Sequence, residues 1–65
     1  MAAATDPQLS SLGASIDDLA RRAADLAQAL EADGAGEPAA SLFEVERALR
    51  MATRSLERAR RSLPG

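Results

Sequence analysis

Apolar residues recur along this chain at alternating intervals of three and four residues, in two separate runs. Such spacing puts every member of a run on one stripe of an α-helix, whereas a half-buried strand would need alternation at every second residue. The pattern therefore predicts two core-facing helices. Their stripes are Leu9, Leu12, Ile16, Leu19, Ala23, Leu26 and Leu30 in the first helix, and Leu42, Val45, Leu49, Ala52, Leu56, Ala59 and Leu63 in the second.

Between the two runs lies a short segment of helix-ending residues. Gly34 can adopt the left-handed conformation that terminates a helix, and Pro38 suits the first turn of the next one. We expect an all-α fold in which helix 1 (about 7–33), a turn (34–37) and helix 2 (about 38–63) form a hairpin over 7–63. A connection this short makes the helices antiparallel neighbours, and residues 1–6 are expected to form a flexible tail.

The start of the first helix has two interpretations. Asp6 followed by Pro7 fits an N-cap with proline in the first turn, and Ser15 fits another cap, with Asp17 and Asp18 in the first turn after it. The apolar stripe keeps its phase across Gly13, which favours the start near Pro7. The second helix likewise has a later capping-box start at Ser41 and Glu44.

Length and composition indicate that the hairpin needs a partner. The chain has 65 residues with no cysteine and no histidine, so neither disulfides nor the usual zinc sites can support its small core. Alanines make the stripes thin. We expect two hairpins to pair as a homodimer in a four-helix bundle, with docking on a different protein as the alternative.

Small residues flank each stripe at intervals of seven. Side chains of this size let two helix axes come close together, so both rows are expected at the contact between the helices. The rows are Gly13, Ala20 and Ala27 in helix 1, and Ser41, Ala48, Ser55 and Ser62 in helix 2.

Charge is divided unevenly between the two halves. Residues 1–37 contain seven acids and two arginines, and residues 38–65 contain three acids and six arginines. In an antiparallel hairpin, the acidic start of helix 1 is therefore expected near the basic end of helix 2. Each exposed pair is worth only about 0.2–1 kcal/mol.

Arginines form a ridge on the side of helix 2 opposite its apolar stripe. Arg47, Arg54 and Arg61 recur every seven residues, and Arg50 and Arg58 flank them. The planar guanidinium groups could hold the phosphates of a nucleic acid or nucleotide. A solvated face supported by ion pairs within the helix is favoured instead, because the chain is acidic and has neither Trp nor Tyr.

Two large apolar residues of helix 2 lie off its stripe. Phe43 and Met51 are candidates for a partner-binding patch. Alternatively, Phe43 closes the end of the hairpin and Met51 fills a bundle seam.

Nothing in the sequence indicates catalysis, a cofactor or a metal site. The carboxylate pairs Asp17–Asp18 and Asp33–Glu37 lie where the start of a helix and a turn normally place acids. We expect the protein not to be an enzyme. No apolar run is long enough for a membrane span or a secretory signal, so a cytoplasmic protein is expected. The lysine-free, alanine-rich composition is typical of a GC-rich bacterial genome.

The functional expectation is a non-catalytic protein–protein interaction or regulatory module that acts as a homodimer. One alternative is an anion-binding regulator that uses the arginine ridge, and another is a docking subunit of a larger complex. The predicted architecture resembles the small RNA-binding hairpin of plasmid copy control, which dimerises into a four-helix bundle. It is also similar to helical-hairpin anti-sigma factors that hold a cyclic dinucleotide. These resemblances rest on shape alone and carry no functional residue to this chain.

Overall fold

Two helices packed side by side make up the computed structural model, which describes residues 2–63 and their side chains from residue 5 onward. Helix α1 spans Ala2–Ala32 and helix α2 spans Gly36–Arg61, and the described residues contain no strand. The helices run antiparallel, since Asp6 near the start of α1 contacts Arg60 at the end of α2. The expected all-α hairpin is thereby confirmed.

Helix α1 begins earlier than the sequence pattern predicts. It starts at Ala2, so residues 2–6, expected in a flexible tail, belong to the helix. It also runs through Gly13 and Ser15 without a second start. The prediction relied on the preference of proline for a first turn, but Pro7 lies inside α1. Alanine has the highest helix propensity of any residue. Three alanines precede Pro7 and extend the helix on the N-terminal side of this proline.

The connection between the helices is a Schellman motif, which satisfies backbone carbonyls at the end of α1. Gly34 has a φ of 82°, its N–H donates to the carbonyl of Glu31 over 3.1 Å, and the N–H of Ala35 donates to that of Leu30 over 2.8 Å. The non-helical residues are therefore 33–35, not 34–37. Helix α2 begins two residues early because Pro38 in its first turn needs no hydrogen-bond partner.

The second helix ends near the predicted position. Arg61 is its last residue, and the N–H of Ser62 donates to the carbonyls of Arg58 and Ala59. Leu63, predicted as the last stripe position, follows α2 and is half-buried. The three arginines in the last turn of α2 suit the negative end of the helix dipole.

Alanines, and not leucines, form the most buried part of the hairpin. The only fully buried residues within the described part of the chain are Ala20 and Ala27 of α1, at 0% exposure, and Ala39 of α2, at 1%. Gly13 continues the row of Ala20 and Ala27, and a Cβ atom built on it would lie 3.3 Å from Leu56 Cδ2. The predicted close approach along the small-residue row of α1 is thus confirmed.

The small-residue row of α2 does not take part in this contact. Ser41, Ala48, Ser55 and Ser62 are all exposed, which corrects the expectation that both rows meet. In their place, α2 presents Leu42, Leu49 and Leu56 together with the half-buried side chains of Glu46 and Thr53. The larger leucines of α2 fill the space left by the small residues of α1, so one small row suffices for close packing.

The hairpin is long and thin. Its extents are 51 × 15 × 9 Å and its radius of gyration is 15.1 Å, whereas a compact domain of this length would have a radius of gyration of about 11 Å. The solvent-accessible surface is 4678 Å², compared with about 4,000 Å² for a compact folded chain of the same mass. A single layer of two helices therefore leaves much apolar surface uncovered.

Candidate functional site

One side of the hairpin is an apolar surface that contacts solvent. Leu12, Leu19 and Leu26 of α1 are 51%, 46% and 57% exposed, and Val45 of α2 is 45% exposed. These four residues belong to the predicted stripes, so part of each stripe lies outside the contact between the helices of the single hairpin. The helices approach each other most closely along the small residues of α1. The larger leucine and valine side chains therefore lie at the edge of the contact between the helices.

A shallow groove runs along this side between the two helices. It encloses about 410 Å³. Nearly all of its lining is apolar, and the single charged residue is Arg22 of α1. We refer to the groove and the leucines around it as the apolar face, which consists of Leu12, Leu19, Ala23, Leu26, Leu42, Val45 and Leu49.

The remaining stripe positions do not line the groove of the apolar face. Most of them are half-buried in the hairpin, and Leu9 and Leu56 line a hollow with Asp17 and Arg60 instead. The half-buried positions are Leu9, Ile16, Leu30, Ala52, Leu56 and Leu63, whereas Ala59 is exposed.

The opposite side of the hairpin is polar and carries the ion pairs between the helices. Arg50 of α2 donates to Asp17 over 3.1 Å, and Arg60 donates to Asp6 over 3.3 Å. Asp17 also accepts from Arg21 of its own helix. These contacts confirm that the acidic start of α1 lies beside the basic end of α2. The two helices thus have one charged side and one apolar side.

The predicted arginine ridge separates into paired and unpaired members. Arg50 is engaged with Asp17 and with Glu46, at 3.1 and 3.4 Å, and Arg58 donates to Ser55 Oγ over 3.0 Å. Within the described residues, Arg47, Arg54 and Arg61 make no ion pair or side-chain hydrogen bond. All three are exposed. We call them the arginine row.

The two predicted apolar contact residues of α2 have different surroundings. Met51 is 59% exposed and lines a hollow on the outer surface of α2 with Arg47, Arg50 and Arg54. Phe43 is half-buried. Met51 therefore does not fill a seam within the single hairpin, and it lies beside the arginine row.

Sequence reasoning missed several charged residues that the fold places at decisive positions. Arg60 was not assigned to any site, yet it pairs across the helices with Asp6. Arg22 reaches the apolar groove although its neighbour Arg21 turns to Asp17 and Asp18. The sequence signal for both residues is their angular position around α1 or α2 relative to the contact between the helices. The apolar stripe places that contact on the leucines of α1, whereas it lies along the neighbouring row of small residues.

Residues 5–63 contain no group of three or more acidic, histidine or cysteine side chains arranged to hold a metal ion. Neither α1 nor α2, as far as they are described, has an apolar stretch long enough to cross a bilayer.

Comparison with known proteins adds no relative. No protein-family model, curated protein or solved structure matches this chain.

Proposed function

We propose that this protein is a non-catalytic interaction module that acts as a homodimer, in which the apolar faces of two hairpins pack together as a four-helix bundle. The observation that carries the proposal is the partial exposure of Leu12, Leu19, Leu26 and Val45 on one side of the molecule. Contiguous apolar surface of this kind is uncommon on soluble monomers and marks interaction sites.

The size of the hairpin suits a second copy of the chain that lies along its whole length. One side of the hairpin, 51 Å long and 15 Å wide, spans about 770 Å² in projection, close to the roughly 800 Å² per partner of a standard protein interface. A two-fold dimer also brings the same patch of each copy together, so that every exposed leucine meets another apolar surface. Burying these side chains would add the core that three alanines cannot supply.

We propose a non-catalytic function because the chain lacks the side chains on which most catalysis depends. It has no histidine and no cysteine. The acidic pair Asp17 and Asp18 is engaged with arginines on the polar side, which accounts for it structurally. In the proposed dimer, the outer surfaces of α1 and α2 remain available to a protein that the module regulates, and Met51 is the best-exposed apolar anchor there.

Sedimentation equilibrium tests the dimer, with two substitutions of matched exposure. The native chain is expected to sediment at twice its monomer mass of 6.8 kDa. Leu26→Asp, at a residue 57% exposed on the apolar face, should shift the equilibrium towards monomer. Met51→Asp, at a residue 59% exposed on the outer surface of α2, should leave the dimer intact. A native chain that sediments as a stable, cooperatively folded monomer would overturn the proposal.

A second candidate function is anion binding by the arginine row. It is favoured by one observation, namely that Arg47, Arg54 and Arg61 have no partner among the described residues. Seven residues of helix rise about 10 Å, so the three guanidinium groups are regularly spaced along α2. A polyanion such as a nucleic acid strand is the ligand that such a row would hold.

Binding of a single-stranded oligonucleotide at low salt tests this second function. Affinity should fall steeply as salt increases, because binding releases counterions from the phosphates and this release is less favourable in high salt. Arg54→Glu should weaken binding, and Arg21→Glu, the same charge change on the polar side of α1, should weaken it much less. Absence of binding at low salt, or equal losses in the two variants, would contradict the anion-binding function.

A further inference from the structure

The ion pairs between the helices define which residues lie at the same height along the hairpin. Asp17 pairs with Arg50 and Asp6 with Arg60, so residues at one height have numbers that add to 66 or 67. Arg22 of α1 is therefore level with positions 44 and 45 of α2. The shared lining of the apolar groove agrees with this register, since Arg22 and Val45 both contribute to it.

Arg22 and Glu44 thus lie at one height on the two outer sides of the hairpin. Arg22 lines the apolar groove from α1, whereas Glu44 lies about 100° of helix away from Val45, on the side of α2 that faces away from α1. Both side chains are exposed, and neither has an ion pair or side-chain hydrogen bond within the described residues. They carry opposite charges and are too far apart to meet within one hairpin, since the two helices lie between them.

Two symmetric arrangements can bring two apolar faces together. A two-fold axis along the helices, here called the lengthwise axis, places α1 of each copy on α2 of the other, with both turns at the same end of the bundle. A two-fold axis across the helices, the crosswise axis, places α1 on α1 and α2 on α2, with the turns at opposite ends. Each arrangement is isologous, so any contact made by one copy is repeated by the other.

From the charges we infer that the dimer has its two-fold axis along the helices, with reciprocal ion pairs between Arg22 of each copy and Glu44 of the other. Helix α1 contains five acids and two arginines, and α2 contains four acids and six arginines. The lengthwise axis thus sets a helix of net charge −3 against one of net charge +2. The crosswise axis would place like charges together and would separate Arg22 from Glu44 of the second copy.

This inference rests on the proposed homodimer, and its consequence is a dimer whose two ends differ. Both Gly34 turns lie at one end of the bundle, and the start of α1 and the end of α2 of each copy lie at the other end. The arginine rows of the two copies run in the same direction on opposite sides of the bundle. A partner protein would therefore meet two different ends and not two equivalent ones.

A charge-swap cycle tests the reciprocal ion pairs. Arg22→Glu or Glu44→Arg alone puts like charges opposite each other twice per dimer. Each single variant should raise the dissociation constant of the dimer by about 2- to 30-fold, because a surface ion pair is weak but occurs twice. The double variant should recover native affinity. Equal or additive losses in the double variant would overturn the pairing.

A distance measurement between spin labels tests the direction of the axis. The chain has no cysteine, so Asp33→Cys in the exposed turn gives a single label per copy. The lengthwise axis predicts a separation near the width of the bundle, about 20 Å, whereas the crosswise axis predicts about 45 Å. A label at Asp18→Cys, near the middle of α1, should give a short separation in both arrangements and serves as the control.

The two proposals fail in different ways. A distance of about 45 Å from Asp33→Cys in a confirmed dimer would overturn the lengthwise axis and leave the homodimer standing. Absence of any dipolar coupling at both label positions, together with a monomer mass in sedimentation, would overturn the homodimer and the inference with it.

Discussion

The backbone of Gly13 in α1 approaches Leu56 of α2 so closely that an added Cβ atom would lie 3.3 Å from Leu56 Cδ2. This contact is the end of the small-residue row that continues through the buried Ala20 and Ala27. It sets the closeness of the two helices, since a larger side chain here would hold them apart. In the middle of a helix alanine is better than glycine by about 0.5–1 kcal/mol, so at Gly13 helix propensity opposes the tightness of this contact.

Substitutions at Gly13 should therefore depend on the size of the new side chain. Gly13→Ala is expected to raise the free energy of unfolding by less than about 1 kcal/mol, because the gain in helix propensity exceeds the cost of a small shift of the half-buried Leu56. Gly13→Leu should lower it by about 1–3 kcal/mol through overpacking. Chemical denaturation followed by circular dichroism at one fixed protein concentration measures both. Destabilisation by Gly13→Ala would mean that Leu56 cannot move.

The two glycines of the connection provide a matched test of the turn. Gly34 has a φ of 82°, a conformation that costs other residues about 1–2 kcal/mol, whereas Gly36 has an ordinary φ at the start of α2. A Cβ atom would meet nothing within 4 Å at either position. Gly34→Ala should lower the thermal midpoint, and Gly36→Ala should leave it unchanged or raise it slightly. Equal shifts would contradict the left-handed turn.

The ion pair between Asp17 and Arg50 is expected to contribute little and to weaken with salt. Both side chains are 45% exposed, which places the coupling energy in the range of about 0.2–1 kcal/mol. A double-mutant cycle with Asp17→Ala and Arg50→Ala measures this coupling in low salt. Repeating the cycle in 1 M salt should bring it close to zero, since the Debye length falls to about 3 Å. A coupling that persists in high salt would indicate that the pair is less exposed than the structure has it.

Leu49 and Arg54 test which side of α2 faces α1. Leu49 is half-buried beside the apolar groove, so Leu49→Asp would bury an unpaired charge and should unfold the hairpin. Arg54 is exposed and unpaired within the described chain, so Arg54→Ala should leave the helix content nearly unchanged. Far-ultraviolet circular dichroism separates the two outcomes. Similar behaviour of both variants would contradict the orientation of α2.

Much of the architecture follows from local features of the sequence. The two apolar runs identified both helices, and Gly34 identified the turn, because helical periodicity and a left-handed glycine depend only on residues near one another. The charge difference between the halves predicted that the acidic start of α1 lies beside the basic end of α2, but it did not single out the pair of Asp6 and Arg60. Helix starts were less well defined, because alanine propensity outweighed the positional preference of Pro7.

The tertiary structure decided which face of each helix meets the other. A stripe of leucines is wide enough to permit several contact directions, and periodicity does not choose among them. The helices approach most closely along Gly13, Ala20 and Ala27, so the contact rotates towards that row and leaves Leu12, Leu19 and Leu26 partly exposed. The sequence by itself determined two amphipathic helices and their antiparallel order, because those depend on local spacing. Only the packing of one helix on the other determined which leucines remain exposed, because that depends on how closely two particular surfaces fit.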